Sequence, residues 1–248
     1  MSEIVNASKS TADEVEFLQG PRSRPSELFF AIKIFREFIR GFRAFHFLGP
    51  CVTIFGSARF NEGHPFYEVG RKIGQEVSRL GFTVMIGGGP GLMEAANRGA
   101  RDVRGRSIGC NITLSTEQHP NPYLDKWVNI NYFFVRKVLL SKYSYAFVVL
   151  PGGYGTLDEF FEAITLIQTE KIKHFPVVLI GKDYHKQLHE HILNLAQNGT
   201  IKKSDIDLYL LTDSIEEAMT FIEENAVKKF SLKRKKEYKP VTWLGERK

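Results

Sequence analysis

The stretch Ala146–Gln168 reads AFVVLPGGYGTLDEFFEAITLIQ and combines three local patterns in a fixed order. A short run of β-branched and aromatic residues ends at Leu150, a glycine-rich turn follows, and apolar residues with helical spacing begin near Thr156. This order predicts a strand, a tight turn and a helix, as in a βαβ unit. In a parallel sheet such a turn lies at the carboxyl end of its strand, where ligands bind.

The same alternation continues on both sides of this stretch. Strands are expected near Val52–Phe55, Phe82–Ile86, Ser107–Asn111, Trp127–Ile130, Ala146–Leu150, Val177–Ile180 and Leu208–Leu211. Helices are expected near Pro65–Leu80, Leu92–Val103, Phe134–Lys142, Thr156–Gln168, Tyr184–Gln197 and Ser214–Asn225. The sequence therefore predicts an α/β fold, a doubly wound Rossmann-like parallel sheet with helices on both faces.

Changes in composition divide the chain into four segments. They are an irregular polar arm (1–25), a Phe-rich helical extension (26–49), the Rossmann-like domain (50–225) and a basic C-terminal tail (226–248). Residues 26–48 hold seven of the chain's 20 phenylalanines, and Ser26 is the expected N-cap of a helix. Three uses of these aromatic residues stay open: docking onto the α/β core, an oligomer interface, and a membrane-surface helix.

Composition and charge exclude several classes of protein. The chain has 248 residues, of which 43% are hydrophobic and 25% charged, as in ordinary globular proteins. The net charge of +6 lies in the tail, because residues 228–248 hold nine Lys or Arg against two Glu. The nearly neutral body argues against a nucleic-acid-binding body, whereas the tail is either a solvated terminus or a segment that contacts phosphate or acidic lipid. No apolar run is long enough to span a membrane. The N-terminus lacks signal-peptide order and the two cysteines lack metal-ligand spacing, so we expect a reduced, cytoplasmic protein without a metal site.

A second glycine-rich turn, Gly87–Met93, also stands between a predicted strand and a predicted helix. Glycines let a backbone approach an anion closely, and a helix N-terminus offers free N–H donors. The two turns together therefore predict a phosphate cradle formed by Gly88, Gly89, Gly91, Gly152, Gly153, Gly155 and Thr156. Their spacing matches neither the dinucleotide fingerprint nor the Walker pattern.

Charged residues lie close to the second turn in the predicted fold. Glu159 is one turn into the helix that follows it, and Arg136 and Lys137 lie early in the preceding helix. A carboxylate beside a phosphate needs a compensating cation, and Arg136 can supply it. Judged alone, the pair could also be a surface Glu at a helix N-terminus and a surface Arg.

The segment Pro151–Glu159 resembles the PGGxGTxxE signature of the LOG ("Lonely guy") family, the cytokinin riboside 5′-monophosphate phosphoribohydrolases. Gly87–Met93 is similar to that family's other glycine motif, and Arg136 with Lys137 matches its Arg-Lys pair. The resemblance spans about residues 50–225. It implies hydrolysis of the N-glycosidic bond of a nucleoside 5′-monophosphate, such as AMP, to free base and ribose 5-phosphate, with no cofactor.

The resemblance also implies roles for individual residues. Arg136 and Glu159 would be catalytic, and further substrate contacts would come from Ser57, Met93, Glu117, Lys137, Tyr154, Leu157, Asp158 and Thr165. This chain has Ala58 and Arg59 where the plant form has a second serine, and Asp158 where it has glutamate, so the preferred base stays open. The family implies a homo-oligomer, dimer or higher, with the active site near the dimer interface.

Two other functions remain after these observations. One is a non-catalytic module of the same fold that binds or carries a nucleotide or a molybdenum cofactor. The other is lysine decarboxylation, a label often given to proteins with this signature, which requires pyridoxal phosphate bound to a lysine. Lys137 is the candidate lysine for that chemistry. The retained Arg136 and Glu159 favour the hydrolase.

Overall fold

A computed structural model of the protein describes residues 14–15, 18–113, 120–173 and 175–228. Its seven strands form one parallel sheet. They are β1 (Cys51–Phe55), β2 (Thr83–Ile86), β3 (Ser107–Ile112), β4 (Lys126–Ile130), β5 (Ser144–Val149), β6 (Val177–Ile180) and β7 (Leu210–Thr212). Within these described residues, no helix has the length and apolarity needed to cross a membrane.

The strand order is β4-β3-β2-β1-β5-β6-β7, so the chain reverses its direction of travel across the sheet between β1 and β5. Strands β1, β2, β3 and β6 are buried at every residue, as expected for a parallel sheet covered on both faces. The crevice at the carboxyl ends of β1 and β5 is the switch point, the place where such folds bind ligands.

Among the residues that the structure describes, the α-helices that cover the sheet are α1 (Arg24–Phe45), α2 (Pro65–Arg79), α3 (Leu92–Asp102), α4 (Phe133–Tyr143), α5 (Tyr154–Gln168), α6 (Lys182–Gln197) and α7 (Ile215–Ile222). A 3₁₀ turn, Lys203–Leu208, precedes β7, and a π-helical turn, Glu223–Lys228, follows α7. One hydrophobic core joins α1, α4, α5 and α6 to one face of the sheet, and a second core joins α2, α3 and α7 to the other. The predicted doubly wound α/β fold is confirmed.

The Phe-rich extension forms helix α1, which docks onto the chain's own core. Phe45 is fully buried, and Phe30, Phe38 and Phe42 are partly buried against the same cluster. The opposite side of α1 carries exposed apolar side chains, which are Leu28, Phe29, Ile32, Phe35 and Ile39. Docking onto the core is thus observed for one side of the helix, whereas the oligomer and membrane-surface uses stay predictions for the other.

Three helices begin at least two residues earlier than the sequence predicted, and one of them is α6, which begins at Lys182 rather than Tyr184. Helix α1 begins at Arg24 with Ser23 as its N-cap, rather than at an N-cap Ser26, because Pro25 fits the first turn, where a missing N–H has no cost. Helix α5 begins at Tyr154 rather than Thr156, because extended Gly153 already serves as N-cap. Residues 1–13, 16–17 and 229–248, which include most of the predicted arm and tail, lie outside the described residues.

Both cysteines lie in the sheet. Cys51 in β1 and Cys110 in β3 are free thiols with no exposed surface. Burial raises the pKa of each thiol to about 12, and neighbouring arginines only partly oppose this shift. Neither thiol is therefore a reactive group in the folded protein.

Candidate active site

Three turns meet at the carboxyl edge of the sheet, where the strand order reverses. The turn after β1 joins the two glycine-rich turns through the backbone of Ser57. The Ser57 N–H donates to the carbonyl of Pro151 at 2.9 Å, and the Ser57 carbonyl accepts from the N–H of Leu92 at 3.0 Å. The Ser57 hydroxyl accepts from the Arg59 N–H at 3.1 Å. The predicted site residue Ser57 therefore holds both glycine turns in one place.

The fold itself requires glycine in the first turn. Gly88 and Gly91 have φ angles of +93° and +68°, in the left-handed region that other residues rarely adopt. A Cβ on Gly88 would lie 2.6 Å from the Asn111 Oδ1, and a Cβ on Gly91 would lie 2.5 Å from the Ser57 carbonyl. A Cβ on Gly89 would meet the terminal methyl of half-buried Met93, a flexible side chain that can move aside. Packing therefore explains Gly88 and Gly91 without a ligand, but it does not require glycine at position 89.

The second turn is different, because two of its glycines face open space. Gly152 is buried, and a Cβ there would collide with Thr156. Gly153 and Gly155 are exposed, and a Cβ at either position would meet nothing within 4 Å. Both lie at the N-terminus of α5, where the first N–H groups have no acceptor in the helix. This backbone is open to an approaching anion.

Arg136 reaches across the crevice from the first turns of α4. Its Nε donates to the carbonyl of Cys110 at 3.1 Å, and its Nη2 donates to the carbonyl of Gly87 at 3.1 Å. Its Nη1 donates to the Glu159 Oε1 at 3.2 Å. The guanidinium thus joins the ends of β2 and β3 to α5. These two carbonyl acceptors are partners that the sequence alone did not reveal.

Glu159 projects from α5 and is the most buried acid of the site. Its side chain is 4% exposed, and that of Arg136 is 11% exposed. Burial raises the pKa of Glu159 to about 7, although the charge of Arg136 works in the opposite direction. A carboxyl group with a pKa near neutrality can exchange a proton with a reacting group, so this pair has the properties of a catalytic acid or base.

Lys137 lies beside this pair in an ion-pair network. Its Nζ is 2.8 Å from the Asp158 Oδ1 and 2.7 Å from the Glu162 Oε2. Burial disfavours the ammonium form, but the hydrogen bonds to Asp158 and Glu162 outweigh it and raise the pKa of Lys137. Lys137 is therefore held as a cation, and the predicted substrate contact Asp158 is its partner.

The remaining predicted site residues differ in how close they lie to the glycine turns. Leu157 is half-buried, and Tyr154 is 94% exposed at the mouth of the crevice. Thr165 lies nine residues after Thr156, about 13 Å farther along the helix at 1.5 Å per residue. Its hydroxyl donates to the carbonyl of Phe161 at 2.7 Å, so Thr165 does not join the glycine turn within one chain. Glu117 lies outside the described residues.

Asn111 is a residue of the site that the sequence analysis missed. It lies near the end of β3, directly beneath Gly88, and is 3% exposed. Its Nδ2 donates to the Asn129 Oδ1 at 2.8 Å, whereas its buried Oδ1 has no hydrogen-bond partner among the described residues. The available signal was an asparagine beside the apolar residues of the strand run SIGCNI. In the same described part of the chain, no group of three His, Cys, Asp or Glu could hold a metal ion.

Comparison with known proteins gives one matching family model, described as "Possible lysine decarboxylase", over residues 93–222. A rice protein (Oryza sativa subsp. japonica) named probable cytokinin riboside 5′-monophosphate phosphoribohydrolase LOGL3 is 31% identical over 155 residues, which are 61% of this chain and 73% of the relative. The cytokinin riboside 5′-monophosphate phosphoribohydrolase of Rhodococcoides fascians is 27% identical over 175 residues, covering 69% of this chain and 88% of the relative.

Solved structures share the fold at lower sequence similarity. The molybdenum cofactor binding protein from the phototrophic bacterium Rippkaea orientalis superposes with a TM-score of 0.52 and 24% sequence identity. The match covers 71% of this chain and 96% of that protein. At this identity the likeness describes the architecture alone, because one fold hosts many functions.

Proposed function

Because the chain belongs to the LOG family, whose sequence model carries the description possible lysine decarboxylase, we propose that it is a nucleotide phosphoribohydrolase. The reaction is hydrolysis of the N-glycosidic bond of a nucleoside 5′-monophosphate. The substrate is AMP or a cytokinin riboside 5′-monophosphate, and the products are free base and ribose 5-phosphate. The observation that carries the proposal is the buried pair of Arg136 and Glu159 between two glycine-rich turns.

The chemistry of N-glycoside cleavage suits this pair. The bond between C1′ and the base breaks with its electrons on the base, so positive charge develops on the ribose. The Glu159 carboxylate stabilises that charge and accepts a proton from the water that attacks C1′. The departing base becomes negative, and the Arg136 guanidinium stabilises it as a fixed cation, since arginine does not release its proton. The base then takes a proton from solvent, and Glu159 releases the proton of the attacking water to solvent.

The 5′-phosphate occupies the N-terminus of α5 in this proposal. Gly153 and Gly155 leave the backbone open there, and the helix dipole favours an anion. Lys137 lies alongside, where its cationic form balances negative charge near Glu159. Contacts to the phosphate are distant from the broken bond, so their binding energy positions the ribose for reaction.

Lysine decarboxylation fits these residues poorly. A decarboxylase holds pyridoxal phosphate as a Schiff base on a lysine, which must react as a neutral amine. Lys137 is the lysine beside Arg136 and Glu159, and its ammonium group lies within 2.8 Å of Asp158 and within 2.7 Å of Glu162. A lysine stabilised as a cation does not fit that role.

Self-association is part of the proposal. Helix α4, which carries Arg136, exposes Phe133, Phe134 and Val138, and α5 exposes Phe161. Clustered exposed apolar side chains beside a site commonly mark an interface. A second copy of the chain that covers them would complete each pocket.

A panel of nucleoside 5′-monophosphates tests the reaction. The purified protein is incubated with AMP, other monophosphates and isopentenyladenosine monophosphate, and free base is measured by chromatography. We expect base release, and we expect adenosine to react at least about a hundredfold more slowly than AMP, because it lacks the phosphate contacts. Tight binding of one nucleotide without release would instead support a carrier of the same fold. Equal rates for AMP and adenosine would contradict the phosphate assignment.

The Gly155→Ala variant separates the phosphate contact from folding. Ala is the better helix former and a Cβ meets nothing at this position, so the melting temperature should stay equal or rise. The methyl group covers the open backbone, so we expect AMP affinity to fall by about tenfold or more, as for lost hydrogen bonds to a charged group. Calorimetric titration measures it, with adenosine as the control ligand. A loss of affinity that is equal for AMP and adenosine would argue against a phosphate at this turn.

A further inference from the structure

Helix α4 carries Arg136 and Lys137 but provides no cap for its own N-terminus. Its N-cap residue, Tyr132, makes no side-chain capping bond, and the first turn contains no acidic residue. The first N–H groups of a helix need acceptors from elsewhere when they are withdrawn from water. Acceptors for these N–H groups therefore come from other parts of the chain or from water.

Two carboxylates from the N-terminal part of the chain lie at this end of α4: Glu14 accepts from its first residue, and Glu37 accepts from Asn131, which precedes the N-cap. Glu37 of α1 accepts the Asn131 backbone N–H on Oε1 at 2.8 Å and the Asn131 Nδ2 on Oε2 at 3.1 Å. Glu14 accepts the N–H of Phe133 on Oε1 at 3.1 Å. Glu37 is only 7% exposed, so its carboxylate is withdrawn from water for this contact.

The rest of α1 packs along α4 from one end to the other. Phe30 lies edge-on against Tyr132, with ring centroids 5.2 Å apart, at the beginning of α4. At the other end, Phe45 packs against Tyr143 with ring centroids 5.5 Å apart. Gly41 lies between these contacts, where any Cβ would collide with Leu139. Helix α1 therefore fixes both the position and the rotation of α4.

The capped end of α4 is one turn from the chemistry. The Arg136 N–H donates to the carbonyl of Tyr132 at 3.1 Å, directly after Asn131. The Asn131 Oδ1 also accepts from the Thr113 hydroxyl at 3.2 Å, just beyond β3. Strand β3 supplies the Cys110 carbonyl that holds the Arg136 Nε. Glu37 thus holds Asn131, which directly precedes α4, the helix that carries Arg136. Asn131 also contacts Thr113, just beyond the strand that holds the Arg136 Nε.

We propose that Glu37 is a positioning residue for the hydrolysis, so that the N-terminal extension is a working part of the active site. The inference rests on the proposed function. Through Asn131, Glu37 sets the start of α4 and hence the direction of the Arg136 guanidinium toward Glu159. The carboxylates of Glu37 and Glu14 also offset the dipole of α4, which leaves the N-terminus of α5 as the anion site.

A reciprocal exchange of groups provides the test. In Glu37→Gln, an amide NH₂ replaces an acceptor and faces the Asn131 amide or N–H. In Asn131→Asp, two carboxylates face each other. The double variant restores the pattern, because the new amide on α1 donates to the new carboxylate while its oxygen still accepts the backbone N–H. Glu27→Gln is the matched control, since exposed Glu27 lies on the same helix and accepts only from the Arg22 N–H among the bonds described.

For each full-length variant, kcat and KM for AMP and the amide hydrogen exchange of α4 are measured. We expect kcat to fall by about tenfold or more in each single variant, as for small misplacements of catalytic groups, with KM changed less than about twofold. Exchange in the first turn of α4 should accelerate. The double variant should recover kcat to within about threefold of wild type, and Glu27→Gln should match wild type.

The outcomes separate the two proposals. Faster exchange with an unchanged kcat would make Glu37 a purely structural residue and overturn the inference, as would a double variant with no recovery. If the wild-type chain released no base, the proposed function would fail, and the role of Glu37 in hydrolysis with it. The amide hydrogen exchange of α4 in the variants would still show whether Glu37 orders this helix.

Discussion

We expect the Glu159→Gln variant to lose about 10³-fold in kcat for base release, while its Kd for AMP stays close to that of wild type. The amide has nearly the same shape and still accepts from the Arg136 Nη1, so the pocket is retained. It carries no charge for the developing ribose cation and cannot take a proton from water. Single-turnover base release and equilibrium binding of AMP measure the two effects.

The stability of the same variant provides an internal control. The pKa of Glu159 is raised to about 7 by burial, so the folded protein binds a proton that the unfolded chain releases near its ordinary value of 4.5. Ionisation of Glu159 therefore costs stability as pH rises from about 4.5 through 7. At pH 8 the Glu159→Gln variant should melt at a temperature no lower than that of wild type.

The matched control for activity is Glu190→Gln, at an exposed position of α6, which should leave kcat unchanged. A Glu159→Gln enzyme with wild-type turnover would refute the mechanism.

The second large effect is expected for Arg136→Met. This change removes the cation opposite the departing base, and we expect kcat/KM to fall by about 10²–10³-fold, as for the loss of a preorganised electrostatic contact. The carbonyls of Gly87 and Cys110 also lose their donor, so stability should fall by roughly 3 kcal/mol, as for a broken buried pair. Circular dichroism at the assay temperature establishes that the variant is folded.

The pH dependence of kcat/KM for Arg136→Met shows whether its lower activity comes from the lost charge or from a general loss of structure. In wild type, kcat/KM should rise as pH increases through about 7, because the working form of Glu159 is the carboxylate. Arg136 lowers the pKa of Glu159 by its charge, so its removal should move this limb to higher pH. An unshifted profile would show that the titrating group is not Glu159. Arg136→Lys, which keeps the charge, should shift the profile less.

The fold was largely predictable because its signal is local. Most strands are short apolar runs followed by an amphipathic helix, and a parallel sheet buries such strands on both faces. The glycine turns were visible for the same reason, since Gly87–Gly91 and Gly152–Gly155 each separate a strand from a helix. Helix starts were less predictable, because proline or glycine near the cap shifted the starts of α1, α5 and α6 by two residues or more.

The long-range parts of the site could not be derived from local patterns. Glu37 and Asn131 are 94 residues apart, and Glu14 and Phe133 are 119 apart, so neither contact leaves a pattern in a short window. The position of Asn111 beneath Gly88 likewise depends on the pairing of β2 with β3. Thr165 entered through family resemblance, and its role stays a prediction because its hydroxyl contacts its own helix in this chain.

Because both thiols are buried, their reaction with oxidants depends on opening of the folded structure. Cys51 and Cys110 have pKa values of about 12 and no exposed surface, so the folded molecule presents almost no thiolate to an alkylating or oxidising reagent. Reagents reach either sulfur only when the sheet opens, and Cys110 lies in the strand whose carbonyl holds Arg136. The rate of thiol modification would therefore report how often the native state opens, and oxidation of these two thiols would be confined to molecules whose sheet had already opened.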